Sequence, residues 1–162
     1  LLHRGLPTLP LRVERAQHTA QQLVARLAND ARVRRIHFPG HGDSDPRGLV
    51  GSQMSGPGSV LSFELASDDP RAVHAFVAAL ELITPAVSLG SVDTLIQPPA
   101  ALTHRIVDEA ARAATGIAPN LLRLSVGLEG VEDLWRDLAQ GLAASVGRGV
   151  TAAADRPAHP SR

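Results

Sequence analysis

Hydrophobic and polar positions along the chain fall into two rhythms, and each names an element. Leu122, Leu124 and Val126 alternate with Leu121, Arg123 and Ser125, a period of two that predicts a strand with one face on a core and Arg123 on the other. After Gly127 the period lengthens. Val131, Leu134, Trp135, Leu138 and Leu142 recur at three or four, the stripe of an amphipathic helix, and Glu132 and Asp133 suit the positive end of its dipole. The same helical spacing links Val13, Ala16, Ala20, Leu23, Val24 and Leu27, with Thr8 as cap, Pro10 in the first turn and an end near Asn29. A third, shorter stripe runs through Val73, Phe76, Val77 and Leu80, with Asp69 as cap, Pro70 at the first position and Pro85 as its close.

Alternation returns at Leu61, Phe63 and Leu65, and Val33 to Phe38 reads as a further short strand. A fourth strand is expected near Val87, and a short helix from Ile106 to Ala114. These elements predict an α+β, two-layer domain, a small and mainly antiparallel sheet with helices on one face. The Gly56-Pro57-Gly58 segment leads into a strand rather than from a strand into a helix, so it reads as a turn and not as a phosphate cradle. His74 lies off its helix stripe and is expected in solvent. Beyond about Ser145 periodicity is lost and residues 146–162 read as a flexible tail.

Composition narrows the chemistry. Sixteen acidic and sixteen basic residues cancel over 162 positions, which gives no reason to expect nucleic acid or a charged membrane as partner. No cysteine is present, so disulfides and thiolate nucleophiles are excluded. No stretch is long and apolar enough to span a bilayer; the absence of a signal segment together with the absence of cysteine favours a cytoplasmic protein. All sixteen basic residues are arginine, and lysine and tyrosine are absent. His37, His41, Asp43 and Asp45 are metal-ligating types, but they match no known ligand spacing and sit among turn formers; no metal is expected. Arg123 has two readings, a solvated strand residue or a guanidinium that grips a planar anion in a two-pronged contact.

Five blocks resemble, in order, the pyridoxal-phosphate (PLP) enzymes of cysteine and methionine metabolism, the family of cystathionine gamma-synthase, cystathionine gamma-lyase and methionine gamma-lyase. They are RGLPTLPLRVERAQ from Arg4, QMSGPGSVLSFEL from Gln53, AVSLGSVDTL from Ala86, PPAALTHR from Pro98 and LLRLSVGLEGVEDLWRDL from Leu121. The resemblance implies the carboxyl-terminal small domain of a fold-type I enzyme: residues 1–29 as a linking helix from a cofactor domain not contained here, and 30–145 as the substrate-side domain. It implies that Arg123 holds the substrate carboxylate, that Ser88 and Thr103 orient it, and that Val87 and Leu89 line the side-chain pocket. Val87 matches methionine gamma-lyases, whereas cystathionine-handling members carry a glutamate there. Pro98 replaces a frequent histidine, and His104 after Thr103 is a general-base candidate that is read as structural.

PLP is held by its enzymes on a lysine amine. With no lysine, this chain alone is expected to be inactive, with no catalytic and no cofactor-binding residue of its own. The partners implied are a small sulfur-containing amino acid and further copies of the subunit, a homo-tetramer by family. Two alternatives stand beside this: a catalytically dead paralogue acting as an oligomerisation or interaction module, and an unrelated binding domain that mimics the pattern.

Overall fold

A computed structural model describes residues 2–69, 71–100 and 118–146. Helix α1 (Leu2–Gly5) and a 3-10 turn (Leu6–Thr8) run into the long α2 (Leu9–Ala28), followed by β1 (Val33–His37) and β2 (Val60–Leu65). Helix α3 (Ala72–Ala78), β3 (Thr84–Pro85), β4 (Leu95–Gln97), β5 (Leu121–Ser125) and α4 (Val131–Ser145) complete the described order. The five strands form one sheet in the order β1-β2-β5-β4-β3. Every pairing is antiparallel except β3 with β4. The α+β class and the mainly antiparallel sheet are thus as the hydrophobic rhythms predict.

The core lies between the helices and one sheet face. Leu23 and Leu27 of α2, Phe76 of α3 and Leu134, Leu138 and Leu142 of α4 meet Ile36, Leu61, Phe63, Ile96, Leu122 and Leu124 from the strands. Phe63 and Phe76 pack edge to face with centroids 5.8 Å apart, a geometry favoured by the ring quadrupoles. Gly141 is what lets α3 approach α4, since a Cβ there would stand 3.0 Å from the Phe76 ring.

Three expectations are corrected. Val87 lies in no strand; the sheet takes Thr84–Pro85 and Leu95–Gln97 instead. Pro85 ends no helix, because α3 stops at Ala78 and Pro85 sits in the edge strand β3, where a missing N–H costs no ladder bond. Thr8 occupies the cap position of α2, but its hydroxyl donates back to the Gly5 carbonyl at 3.4 Å and leaves the new helix uncapped. The predicted helix at 106–114 and the tail beyond 146 lie outside the described residues.

What fixes the end of α3 is Asp137. This α4 side chain is 4% exposed and accepts the backbone N–H groups of Glu81, Leu82 and Ile83 at 2.8, 3.1 and 2.7 Å, with the Gln140 amide at 2.7 Å. It thereby satisfies a turn that has no helix or strand to do so. At the other side of the sheet the Arg32 guanidinium grips Asp30 at 2.8 and 2.6 Å and pins the connection from α2 to β1. His37 Nε2 is 2.8 Å from Glu64 Oε1, and the Asp45 carboxylate accepts the N–H groups of Leu49 and Val50 at 2.9 Å each, so both are engaged in holding their own loops and strands.

Two outcomes follow. Asp137→Asn places an amide donor against backbone donors and should cost about 2–3 kcal/mol, read as a lowered Tm; an unchanged Tm would contradict the clamp. The hydrogen bond from Arg32 holds the Asp30 carboxyl below the ordinary carboxylate range. The stability it contributes is therefore present above that range and lost as pH falls through the lowered value. In Arg32→Ala the Asp30 resonance should titrate at a higher pH than in the unaltered chain, as NMR titration would show.

Candidate functional site

Strand β5 is the middle strand, with β2 on one side and β4 on the other. Its Leu122 and Leu124 enter the core, so Leu121, Arg123 and Ser125 face the side away from the helices. Register then builds a row. His37 pairs with Ser62, Ser62 with Arg123, and Arg123 with Gln97. Directly opposed residues of antiparallel strands share a face, and four polar side chains therefore cross the sheet side by side.

The connection between β3 and β4 is tied to this face. Arg123 Nη2 donates to the Ser88 carbonyl at 2.9 Å, and the Gly90 N–H donates to Ser125 Oγ at 3.0 Å. Gly90 has φ +77, a left-handed turn that suits glycine. Further on, the loop is locked to the turn after β5. Glu129 accepts Thr94 N–H and Thr94 Oγ1–H at 2.7 Å each, while Thr94 Oγ1 accepts the Gly127 N–H at 2.9 Å. A Cβ on Gly127 would stand 2.2 Å from the Val92 carbonyl oxygen; only glycine admits that approach.

Of the residues read from the sequence, the structure brings Arg123 and Ser88 together. The contact uses the Ser88 carbonyl, an acceptor, so it anchors the guanidinium rather than offering a donor to an anion. Arg123 is half-buried and keeps its remaining N–H groups without an acceptor among the described residues. Val87 and Leu89 flank Ser88 on the exposed part of the loop, 59% and 57% accessible. For apolar side chains that is a surface awaiting cover. Thr103, with His104, lies outside the described residues.

Sequence reasoning passed over Gln97 and Ser62. Gln97 follows the apolar pair Leu95 and Ile96 in a strand of three residues, too short for alternation to be recognised. Ser62 stands at a polar position of an alternating strand, a place that by itself marks no site. A concavity of about 580 Å³ runs along the open edge of β1, lined among others by Arg34, Arg35, His37, His41 and Asp43. It lies at the opposite edge of the sheet from Ser88. Among the described residues no group of three histidine, cysteine or carboxylate side chains is placed to hold a metal.

Residues 1–143 match the model of the Cys/Met metabolism PLP-dependent enzyme family. The L-methionine gamma-lyase of Streptomyces avermitilis is 51% identical over 138 residues, which are 85% of this chain and 29% of that protein. The cystathionine gamma-lyase of Bacillus subtilis is 38% identical over 88% of this chain and 37% of its own length. Among solved structures, the cystathionine gamma synthase of Xanthomonas oryzae pv. oryzae, in complex with cystathionine, superposes with TM-score 0.81 at 42% identity, covering 88% of this chain and 37% of that one. The chain thus spans about a third of the length of the relatives it matches. Family match, sequence identity and superposed fold agree with one another, and the chain belongs to the Cys/Met metabolism PLP-dependent enzyme family.

Proposed function

We propose that the chain is the carboxyl-terminal, substrate-side part of a PLP-dependent carbon–sulfur lyase or transferase, and that Arg123 binds the carboxylate of a sulfur amino acid. The observation that carries this reading is the placement of Arg123: it stands on the face the helices leave open, with one N–H spent on the Ser88 carbonyl and the others directed to no acceptor among the described residues. A guanidinium so anchored can present two parallel donors to a carboxylate.

PLP is the cofactor of the family, and these residues do not fit it. The sequence has no lysine to carry it and no tyrosine to stack on it, so the chain's contribution is recognition, while the carbon–sulfur chemistry belongs to the cofactor and the rest of the subunit. Val87 and Leu89 are exposed beside Ser88 and offer apolar surface to a thioether. They offer nothing to a second ammonium group. This supports methionine or homocysteine over cystathionine, and elimination at the gamma carbon as the reaction. Thr103 is assigned to the same carboxylate site through its sequence block.

The reading also divides the chain. Residues 1–29 form the link to the cofactor domain, 30–145 the substrate-side domain, and 146–162 a tail. Support for the link comes from α1, the 3-10 turn and the start of α2, where Leu2, Leu6, Leu11 and Val13 are 88%, 61%, 66% and 49% exposed; such a row calls for a partner surface. The complete protein is taken to be a cytoplasmic homo-tetramer. Among the described residues no helix is long and apolar enough to cross a membrane. The same exposed row favours a second reading, a catalytically dead paralogue that associates with full-length subunits.

In the subunit completed with its lysine-bearing part, Arg123→Ala should raise KM for L-methionine about a hundredfold, in keeping with the loss of a charge-assisted bidentate contact. Unchanged KM and kcat would remove the assignment. Failure of the completed subunit to turn over any sulfur amino acid, together with its co-elution with full-length subunits in gel filtration, would favour the paralogue.

A further inference from the structure

Gln97 carries an acceptor without a donor. Its side chain is 2% exposed, and Oε1 is buried with no hydrogen bond from the described residues. Leaving a buried amide oxygen unpaired is destabilising, and an orphan of this kind calls for a physical reason. Position supplies one. Gln97 stands directly opposite Arg123 in the antiparallel β4–β5 ladder, and such partners share a face with Cβ atoms about 4.5–5.5 Å apart. The amide is therefore within reach of the guanidinium. Of the five N–H donors on Arg123, one of the two on Nη2 goes to the Ser88 carbonyl; the others have no acceptor among the described residues.

We propose that Gln97 is the positioning residue of Arg123: when an amino-acid carboxylate arrives, Gln97 Oε1 accepts an N–H of the guanidinium. The Ser88 carbonyl and the Gln97 amide then hold the fork from two sides, and two parallel N–H groups remain for the carboxylate. An arginine side chain loses rotamer entropy when it is held in place, and a second fixed acceptor lowers the cost of presenting the fork in one orientation. A neutral amide is the right chemistry for this. A carboxylate at the same place would pair with the guanidinium outright and compete with the substrate for its charge. This inference rests on the carboxylate reading of Arg123.

The test uses the completed, cofactor-loaded subunit and two readouts: the Kd of L-norleucine, an unreactive isostere of methionine, by calorimetry, and KM and kcat for L-methionine. Gln97→Met, close in length and shape, should weaken norleucine binding and raise KM about tenfold while kcat changes less than about twofold. Gln97→Glu should be worse, about a hundredfold in both readouts. Gln97→Asn, one methylene too short, should lose as much as Gln97→Met, and it serves if the methionine variant does not fold. In an Arg123→Ala background, Gln97→Met should change neither readout, because the amide acts through the guanidinium. A wild-type Kd in Gln97→Met would overturn the proposal, as would an equal penalty with and without Arg123, which would mean that the amide touches the ligand itself. Failure of the underlying reading looks different: Arg123→Ala alone would then leave both readouts unchanged.

Discussion

A strand has two faces, and the division of β5 between them sets the terms for everything else in this domain. Leu122 and Leu124 are fully buried against the helices. A slip of one residue in register would drive Arg123 into that core and leave the leucines outside. The cost of burying an unpaired guanidinium makes such a slip untenable. The apolar residues of β5 therefore fix where its arginine points, and packing energy is converted into the placement of a charge.

The neighbours of β5 extend the same constraint sideways. Because β2 and β4 both run antiparallel to it, Ser62 and Gln97 fall beside Arg123 on the open face. The loop between β3 and β4 is then held by side chains, Ser125 to Gly90, Glu129 to Thr94 and Thr94 to Gly127, and by the backbone bond from the Leu128 N–H to the Val92 carbonyl, while Asp137 holds the turn that enters β3. Helix α4 is drawn into this scheme at its first turn and at its middle. Its first turn follows directly from the Glu129 turn, and its Asp137 fixes the residues before β3. Arg26 of α2 reaches across to Glu132 in that first turn and lies over the Trp135 ring, joining the two long helices at the surface.

How far the sequence could be read depended on how long each pattern ran. The stripes of α2 and α4 and the alternation of β2 and β5 span enough positions to be unambiguous, and they gave the class of fold. The residues Val87 to Leu89 imitate a strand through valine and leucine spaced two apart, but the Ser88 carbonyl is taken by the Arg123 guanidinium and the following Gly90 N–H by the Ser125 hydroxyl, partners far along the chain that no local pattern encodes. Strand β4 is three residues long and one half of its pairing is with the two-residue β3, so its existence depends on tertiary contacts. Arg123 could be singled out because one charge stood in an apolar strand. Its attachment to a carbonyl of residue 88, and the unpaired amide opposite it, come only from register.

The account stands on a guanidinium that selects for a carboxylate. The direct measurement is discrimination by the completed subunit between L-methionine and its decarboxylated counterpart, 3-(methylthio)propylamine, read as the ratio of binding constants. The account predicts a strong preference for the amino acid that shrinks to near parity in Arg123→Ala. A preference that survives the loss of Arg123 undiminished would contradict it.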